Sequence, residues 1–195
     1  MQYKQDGEAL AKILLNNSNI KTCRPEILKL VPELIICVEC TQNSPVHIYN
    51  VYEHIEETTN DVEPILTLKL AALFHDIGKP YSKTISDGVE RFKGHEQHSV
   101  VFADMILRRL GYEEELIKNV CTLIKYHNHK TELTVDGVSN TLNLVEETLM
   151  PYLLQLKNAD LMSHALEYAN LKKPSLIELS YIYKENFNIN YKIKK

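Results

Sequence analysis

The chain has 195 residues, 44% of them hydrophobic and 25% charged, with only 6 Gly and 7 Pro. This is the composition of an ordinary globular protein with enough length for a sizeable core. The formal net charge of −4 excludes a strongly basic field over the whole molecule, and with it broad non-specific binding to long nucleic acid.

The amino-terminal run MQYKQDGEALAKILLNNSN lacks a basic segment followed by an apolar stretch and a small-residue cleavage site. No run approaches the ~20 apolar residues that span a bilayer. The expectation is a cytoplasmic protein with reduced cysteines at 23, 37, 40 and 121. Cys37 and Cys40 form a Cys-x-x-Cys pair, but no second pair completes a zinc knuckle. Ile27, Leu30, Leu34 and Cys37 share a helical spacing, which assigns the pair to core packing.

In chain order, a short helix is expected near Glu8–Asn16 and another after Thr22, with Pro25 in its first turn. The second runs through ILKLVPELIICVEC and is kinked or split by Pro32. TQNSPVHIYN reads as loop. Helices follow around Asn50–Thr59 and Glu63–His75, with Gly78 as the stop of the latter. Ser86-Asp87-Gly88, flanked by KTI and VERF, predicts a small hairpin between Pro80 and Gly94. Helices resume over Glu96–Leu110 and Glu113–His127, and Asp136-Gly137 is expected to break the chain. One further helix starts near Asn140. Another opens at Pro151 and runs to about Ala169, and a last one covers Pro174–Asn186 ahead of a basic tail, YKIKK. The whole reads as an all-α body carrying one hairpin.

The residues that carry chemistry sit on separate helices. His75-Asp76 ends an apolar helix, LTLKLAALFHD, and Ile-Gly-Lys follows, putting Lys79 within reach of an anionic ligand. His54 lies in NVYEHIEETT, and Asp160 in the apolar run MPYLLQLKNADLMSHAL. A charged, unpaired Asp in such a helix costs several kcal/mol, a penalty that a metal removes. Two imidazoles and two carboxylates suit Mn²⁺, Fe²⁺, Co²⁺, Ni²⁺ or Zn²⁺. His95 in Gly-His-Glu and His127 in IKYHNH can hold a second ion, with Asp76 bridging. A lone buried His is more often a satisfied core residue, but six ligand-type residues are not well explained that way. His98, His129 and His164 read as surface or supporting residues, and His47 as structural. Lys83, Arg91 and Lys93 on the hairpin are either a solvated face or a grip on a phosphorylated ligand.

PELIICVECTQNSPVHIYNVYEHI, LAALFHDIGKP, FKGHEQH, LIKYHNH and LLQLKNAD together resemble the HD domain of bacterial tRNA nucleotidyltransferases and related poly(A) polymerases. The order His…His-Asp…His…His…Asp is similar to the pattern of the HD phosphohydrolases, over about residues 25–165. The resemblance implies one HD-domain helical bundle over residues 1–195, with a helical carboxy-terminal extension over 170–195. By matching position it implies His54, His75, Asp76 and Asp160 as ligands of a first metal and His95 and His127 as ligands of a second. It also implies Asp76 as a catalytic residue and Lys79 as a phosphate contact. One or two divalent ions (Mn, Fe, Ni, Co, Zn or Mg) are the implied cofactors. Asn50 departs from the pattern, which usually has Asp there. No Gly-rich strand-turn segment with paired carboxylates is present, so template-independent nucleotide addition is not expected.

The implied function is metal-dependent hydrolysis of a phosphate ester: a phosphorylated small molecule, a nucleotide or an RNA end. That range includes 2′,3′-cyclic phosphates, 2′-nucleotides and nucleoside monophosphates. A di-iron oxygenase using the same ligands, and a non-catalytic module binding RNA or protein, are the alternatives. Metal analysis separates the last from the others, and Lys79 and the basic hairpin favour phosphate over oxygen chemistry.

Overall fold

The computed structural model describes residues 2–189 and 191. The basic tail therefore lies outside the described residues, apart from Tyr191. Eleven α-helices and one two-stranded hairpin make up the described fold, which is all-α as the periodicity predicts.

The first helix, α1 (Gln2–Asn16), starts earlier than expected. The next expected helix is divided at Pro32. α2 (Arg24–Leu30) ends at Val31, whose backbone is extended (φ −131°, ψ 72°) as the residue before a proline favours. A 3₁₀ turn over Pro32–Leu34 then leads into α3 (Ile35–Val38). Cys37 and Cys40 are buried free thiols, and burial pushes the Cys37 thiol far up, in keeping with core packing.

Asn50 opens α4 (Val51–Asp61) with a reciprocal cap. Its side chain accepts from the Glu53 N–H at 2.8 Å, and Glu53 accepts from the Asn50 N–H at 3.2 Å. Asn and Asp cap helices about equally well, so the departure at this position keeps the same local structure.

α5 (Leu66–Phe74) begins three residues later than the pattern predicts. Pro64 holds Glu63 out of the helical region, and the Glu63 N–H donates to Gln155 Oε1 at 2.6 Å instead of entering a helix. Every residue from Leu68 to Phe74 is buried. α5 is thus the central helix, packed against α1, α4 and, further along, α7, α8 and α10. Its one charged side chain, Lys69, is buried too and donates to Thr59 O at 2.6 Å, and a helix otherwise so apolar is stable only in such a position.

After α5 a turn leads to α6 (Lys79–Ser82) and the hairpin, β1 (Thr84–Ser86) against β2 (Val89–Arg91), antiparallel with Ile85 facing Glu90. Asp87 and Gly88 occupy its turn at φ +55° and +73°, as a two-residue primed turn requires. Glu90 ties the hairpin to the loop ahead of α4. Its carboxylate takes the Asn43 N–H at 2.6 Å and the Thr41 hydroxyl, and pairs with Lys83 at 2.7 Å.

The remaining helices are α7 (His95–Arg109), α8 (Glu114–Tyr126), α9 (Val135–Leu142), α10 (Met150–Met162) and α11 (Leu166–Phe187). Several sequence expectations fail here, among them the helix start near Asn140, since α9 begins at Val135 and ends at Leu142. Asp136-Gly137 is no break: Thr134 caps α9 by accepting the Gly137 N–H at 3.0 Å, which draws both residues into the first turn. The helix opened by Pro151 does not continue to Ala169, and Pro174 does not start a helix but lies within α11. The chain turns at Ser163–Ala165, where the Ser163 hydroxyl bonds back to Ala159 O at 2.9 Å and the Ala165 N–H donates to Val46 O at 2.9 Å. Among the described residues, no helix is long and apolar enough to cross a membrane.

Candidate metal centre

His75 and Asp76 directly follow the last residue of α5, and His127 directly follows α8, so the carboxyl ends of both helices face one place. Free carbonyls and the helix dipole make such ends favourable for a cation. α4 brings His54, α7 brings His95 at its first residue, and α10 brings Asp160.

Gly78 makes this convergence possible, but not as the helix stop its place in the sequence implies. Its φ of −80° is ordinary for any residue. A Cβ there would lie 2.4 Å from His95 O, 2.5 Å from Ser99 N and 2.7 Å from His98 Cβ. α7 rests directly on the turn, and the Gly78 N–H donates to Ser99 Oγ at 2.9 Å. The left-handed residue is Gly94, at φ +82°, immediately before His95.

Each of the four imidazoles is oriented by its Nδ1. His75, His95 and His127 donate to the carbonyl three residues back, Ala72, Phe92 and Ile124, at 2.7, 2.8 and 2.7 Å. His54 Nδ1 lies 3.4 Å from Ser163 O, a carbonyl freed by the end of α10. A carbonyl only accepts, so in His75, His95 and His127 the proton sits on Nδ1 and the Nε2 lone pair of the neutral ring points inward. His54 instead has its shorter contact at Nε2, 2.9 Å from Asp160 Oδ1, an oxygen that also only accepts. His54 and His75 then face each other at 3.3 Å between Nε2 atoms, and His95 and His127 at 3.4 Å. Two lone pairs at that distance repel unless a proton or a metal ion lies with them.

Asp76 lies between these pairs and is almost wholly buried. Oδ2 is 3.3 Å from both His54 Nε2 and His75 Nε2, while Oδ1 is 3.1 Å from His95 Nε2 and 3.8 Å from His127 Nε2. Asp160 Oδ1 is 2.9 Å from His54 Nε2 and 3.8 Å from His75 Nε2. Ligand atoms of His54, His75 and Asp160 form one compact group within 4.8 Å, and those of Asp76, His95 and His127 form a second. No hydrogen bond of good geometry reaches either Asp76 oxygen, although Lys79 Nζ is 2.6 Å from Oδ2. The donor set therefore fits one or two divalent ions: buried Asp76 oxygens without a well-formed hydrogen bond, and imidazole nitrogens gathered with carboxylate oxygens in two compact groups.

Electrostatics hold both carboxylates charged and divide the imidazoles. Burial alone would raise the Asp76 carboxyl, but His75, Lys79 and His95 outweigh it and hold it well below the usual carboxylate range. The same contest at Asp160 is decided by His54, in the same direction. Burial and the neighbouring imidazoles bring His127 down to about 3, so it stays neutral, as a ligand must be. Burial likewise lowers His54, whereas at His75 burial is outweighed by Asp76 and the net shift is upward.

All seven residues singled out in the sequence meet here, with Lys79 buried and donating to Gln42 Oε1 at 2.6 Å. Sequence reasoning missed Gln42, a loop residue with no periodic signal, and Lys157. Lys157 Nζ donates to His127 O and His129 O at 2.8 and 2.7 Å, holding the turn that aims His127, and burial lowers it to about 8. His164 is closer to the centre than expected: its ring lies edge-on to His54 at 5.0 Å, and its Nδ1 donates to Asp160 O at 2.8 Å. His47 bonds Ser44 at 2.6 Å, as a loop-fixing residue should, and His98 is exposed.

The centre lies at the base of a cleft of about 1130 Å³. Arg91 and Lys93 line it, whereas Lys83 is engaged by Glu90. Lys93, Lys130 and Lys172 also line it and have no carboxylate partner among the described residues.

A family model described as HD domain matches residues 46–165, and these contain all seven site residues. The chain is also similar to a CC-adding tRNA nucleotidyltransferase of Thermus thermophilus. The two are 29% identical over 137 residues, which cover 67% of this chain and 31% of that protein. The chain thus spans about a third of that relative's length.

Proposed function

The chain belongs to the HD domain family, a superfamily of metal-dependent phosphohydrolases, and from that premise we propose that it hydrolyses a phosphate ester on a nucleotide or an RNA end. The observation that carries this reading is the Asp76 carboxylate set between two facing imidazole pairs, at the base of a cleft with unpaired lysines.

His54, His75 and Asp160 would hold one divalent ion, His95 and His127 a second, and Asp76 would touch both. When bound, such ions supply Lewis acidity toward a phosphoryl oxygen and lower the pKa of water toward neutrality. The protein's share is positional. The Nδ1–H bonds to Ala72, Phe92 and Ile124 fix each ring and its tautomer, so the Nε2 atoms need no reorganisation when charge develops. Lys79 compensates charge beside Asp76 and, at the edge of the cleft, offsets negative charge growing on a phosphoryl group. Lys93 and Lys130 supply the positive field that draws in an anionic substrate.

Elemental analysis of protein purified without chelator is the first test, and one or two transition ions per chain are expected. A panel of 2′,3′-cyclic phosphates, 2′-nucleotides and nucleoside monophosphates, assayed with Mn²⁺, Ni²⁺ or Mg²⁺, is the second. A metal-loaded protein that consumes oxygen and leaves every ester intact would replace this reading with the oxygenase. Absence of metal binding would leave only a binding module.

A further inference from the structure

The residues matched to the family end at 165, yet the cleft does not. α11 adds a wall to it, with Tyr168, Lys172, Ser175, Leu176 and Leu179 lining the same space as Asp76, His127 and Asp160. Along this wall the residues facing the cleft follow a four-residue step that survives the break between α10 and α11: Asp160, His164, Tyr168, Lys172. Their side chains form a ladder. The His164 ring centre is 5.0 Å from that of His54, the Tyr168 ring is 5.3 Å from His164 at a 41° tilt, and Lys172 Nζ is 5.9 Å from the Tyr168 ring centre. Tyr168 is half-buried and Lys172 is exposed. An aromatic path thus leads out from the metal centre to an unpaired cation.

A phosphoryl group bound through metal ions at the centre would have α11 as a wall for the rest of its ester. The cleft, at about 1130 Å³, exceeds the ~300–1,000 Å³ of small-molecule pockets, so a bare phosphate leaves most of it empty. A π face beside an ammonium recognises a planar heterocycle and a negative group next to it. Lys93 and Lys130, also lining the cleft, add to the positive field along the same path.

Resting on the phosphohydrolase reading, we infer that α11 is a specificity wall: Tyr168 stacks the heterocycle of the substrate, and Lys172 pairs with a second phosphate beyond the reacting one. The substrate class is then a nucleotide bearing a further phosphate, as at an oligonucleotide end, in preference to a sugar phosphate.

Titration calorimetry on the full metal-loaded chain tests this with methylenephosphonate analogues, whose C–P bond is not hydrolysed. Three probes are needed: the analogue of ribose 5-phosphate, that of adenosine 5′-monophosphate, and an adenosine carrying methylenephosphonates at both the 5′ and 3′ positions. The wild type should bind the adenosine analogue at least ~10-fold more tightly than the ribose analogue, as one stacked base warrants. Tyr168→Ala should bring the two to parity, and Tyr168→Phe should retain the preference. Lys172→Ala should reduce the affinity for the bis-phosphonate probe to that for the mono-phosphonate adenosine analogue. Equal binding of the ribose and adenosine analogues by the wild type, or a preference that survives Tyr168→Ala, overturns the assignment of α11 and leaves the phosphohydrolase reading intact. Failure of the folded, metal-loaded chain to bind any of the three overturns both.

Discussion

Replacing Gly78 by alanine inserts one methyl group where α7 crosses the turn between α5 and α6. The new Cβ would meet His95 O at 2.4 Å and Ser99 N at 2.5 Å, and both are backbone atoms that cannot rotate away. Either α7 lifts or the turn carrying His75, Asp76 and Lys79 drops. Overpacking costs about 1–3 kcal/mol, and a clash against backbone belongs near 3, so a chain of this size should lose roughly 6–12 °C of Tm. The displacement also acts on the centre, because His95 is the first residue of α7 and its Nε2 stands 3.1 Å from Asp76 Oδ1. Affinity for the second ion should fall by about 10-fold or more, and further than affinity for the first, whose His54 and Asp160 lie on α4 and α10 away from the clash. Gly88→Ala is the control: its Cβ meets nothing within 4 Å, and only the φ of +73° opposes it. It should cost about 1 kcal/mol and leave metal binding unchanged. Thermal denaturation and metal titration on both variants decide the matter. Gly78→Ala with wild-type stability and two tightly bound ions would show that the contact between α7 and the turn does not set the geometry of the centre.

Asp76→Asn keeps shape but removes the one charge facing both imidazole pairs; hydrolysis should fall by at least ~10²-fold and metal content with it. Turnover near wild type would sink the proposed chemistry. His95→Ala and His127→Ala should each lower metal stoichiometry from two to one without unfolding the chain, read by elemental analysis beside circular dichroism. Lys79→Ala should retain its metal yet lose activity on phosphate esters, so a parallel loss of metal would make Lys79 a structural partner of Asp76 only. Arg24→Ala strands the Glu56 carboxylate, which is fully buried and forked by Arg24. Breaking a buried pair costs 3–5 kcal/mol, and discounting for the 36% exposure of the Arg24 side chain leaves about 2, measurable as a shift in denaturant midpoint.

The parts of this fold legible in the sequence are those governed by local chemistry. Pro32 divides a helix because the residue before a proline turns extended, and Asp87-Gly88 makes a hairpin because both tolerate positive φ. His54, His75, Asp76, Lys79, His95, His127 and Asp160 were visible because each sits on an apolar helical run or beside a glycine, in a recognisable order. What stayed hidden depends on tertiary partners. Gln42 and Lys157 matter only through what they reach, Lys79 Nζ and the carbonyls of residues 127 and 129. Glycine at 78 looks the same in sequence whether it ends a helix or admits another one.

The break at Ser163–Ala165 shows why a misplaced boundary can coincide with the chemistry. Helical periodicity runs on through SHALEYA, and nothing local demands a stop. The stop releases the Ser163 carbonyl, which receives His54 Nδ1, and frees the Ala165 N–H for Val46 O in the loop ahead of α4. An unbroken helix would direct the Ser163 carbonyl to its own fourth neighbour, leaving His54 Nδ1 without its carbonyl partner. The ring would then be held only through Nε2, by Asp160 Oδ1 at 2.9 Å. The turn thus gives up helical hydrogen bonds and fixes an imidazole, and it also redirects α11 across the cleft. One interruption orients a ligand on one side and sets the substrate-facing wall on the other.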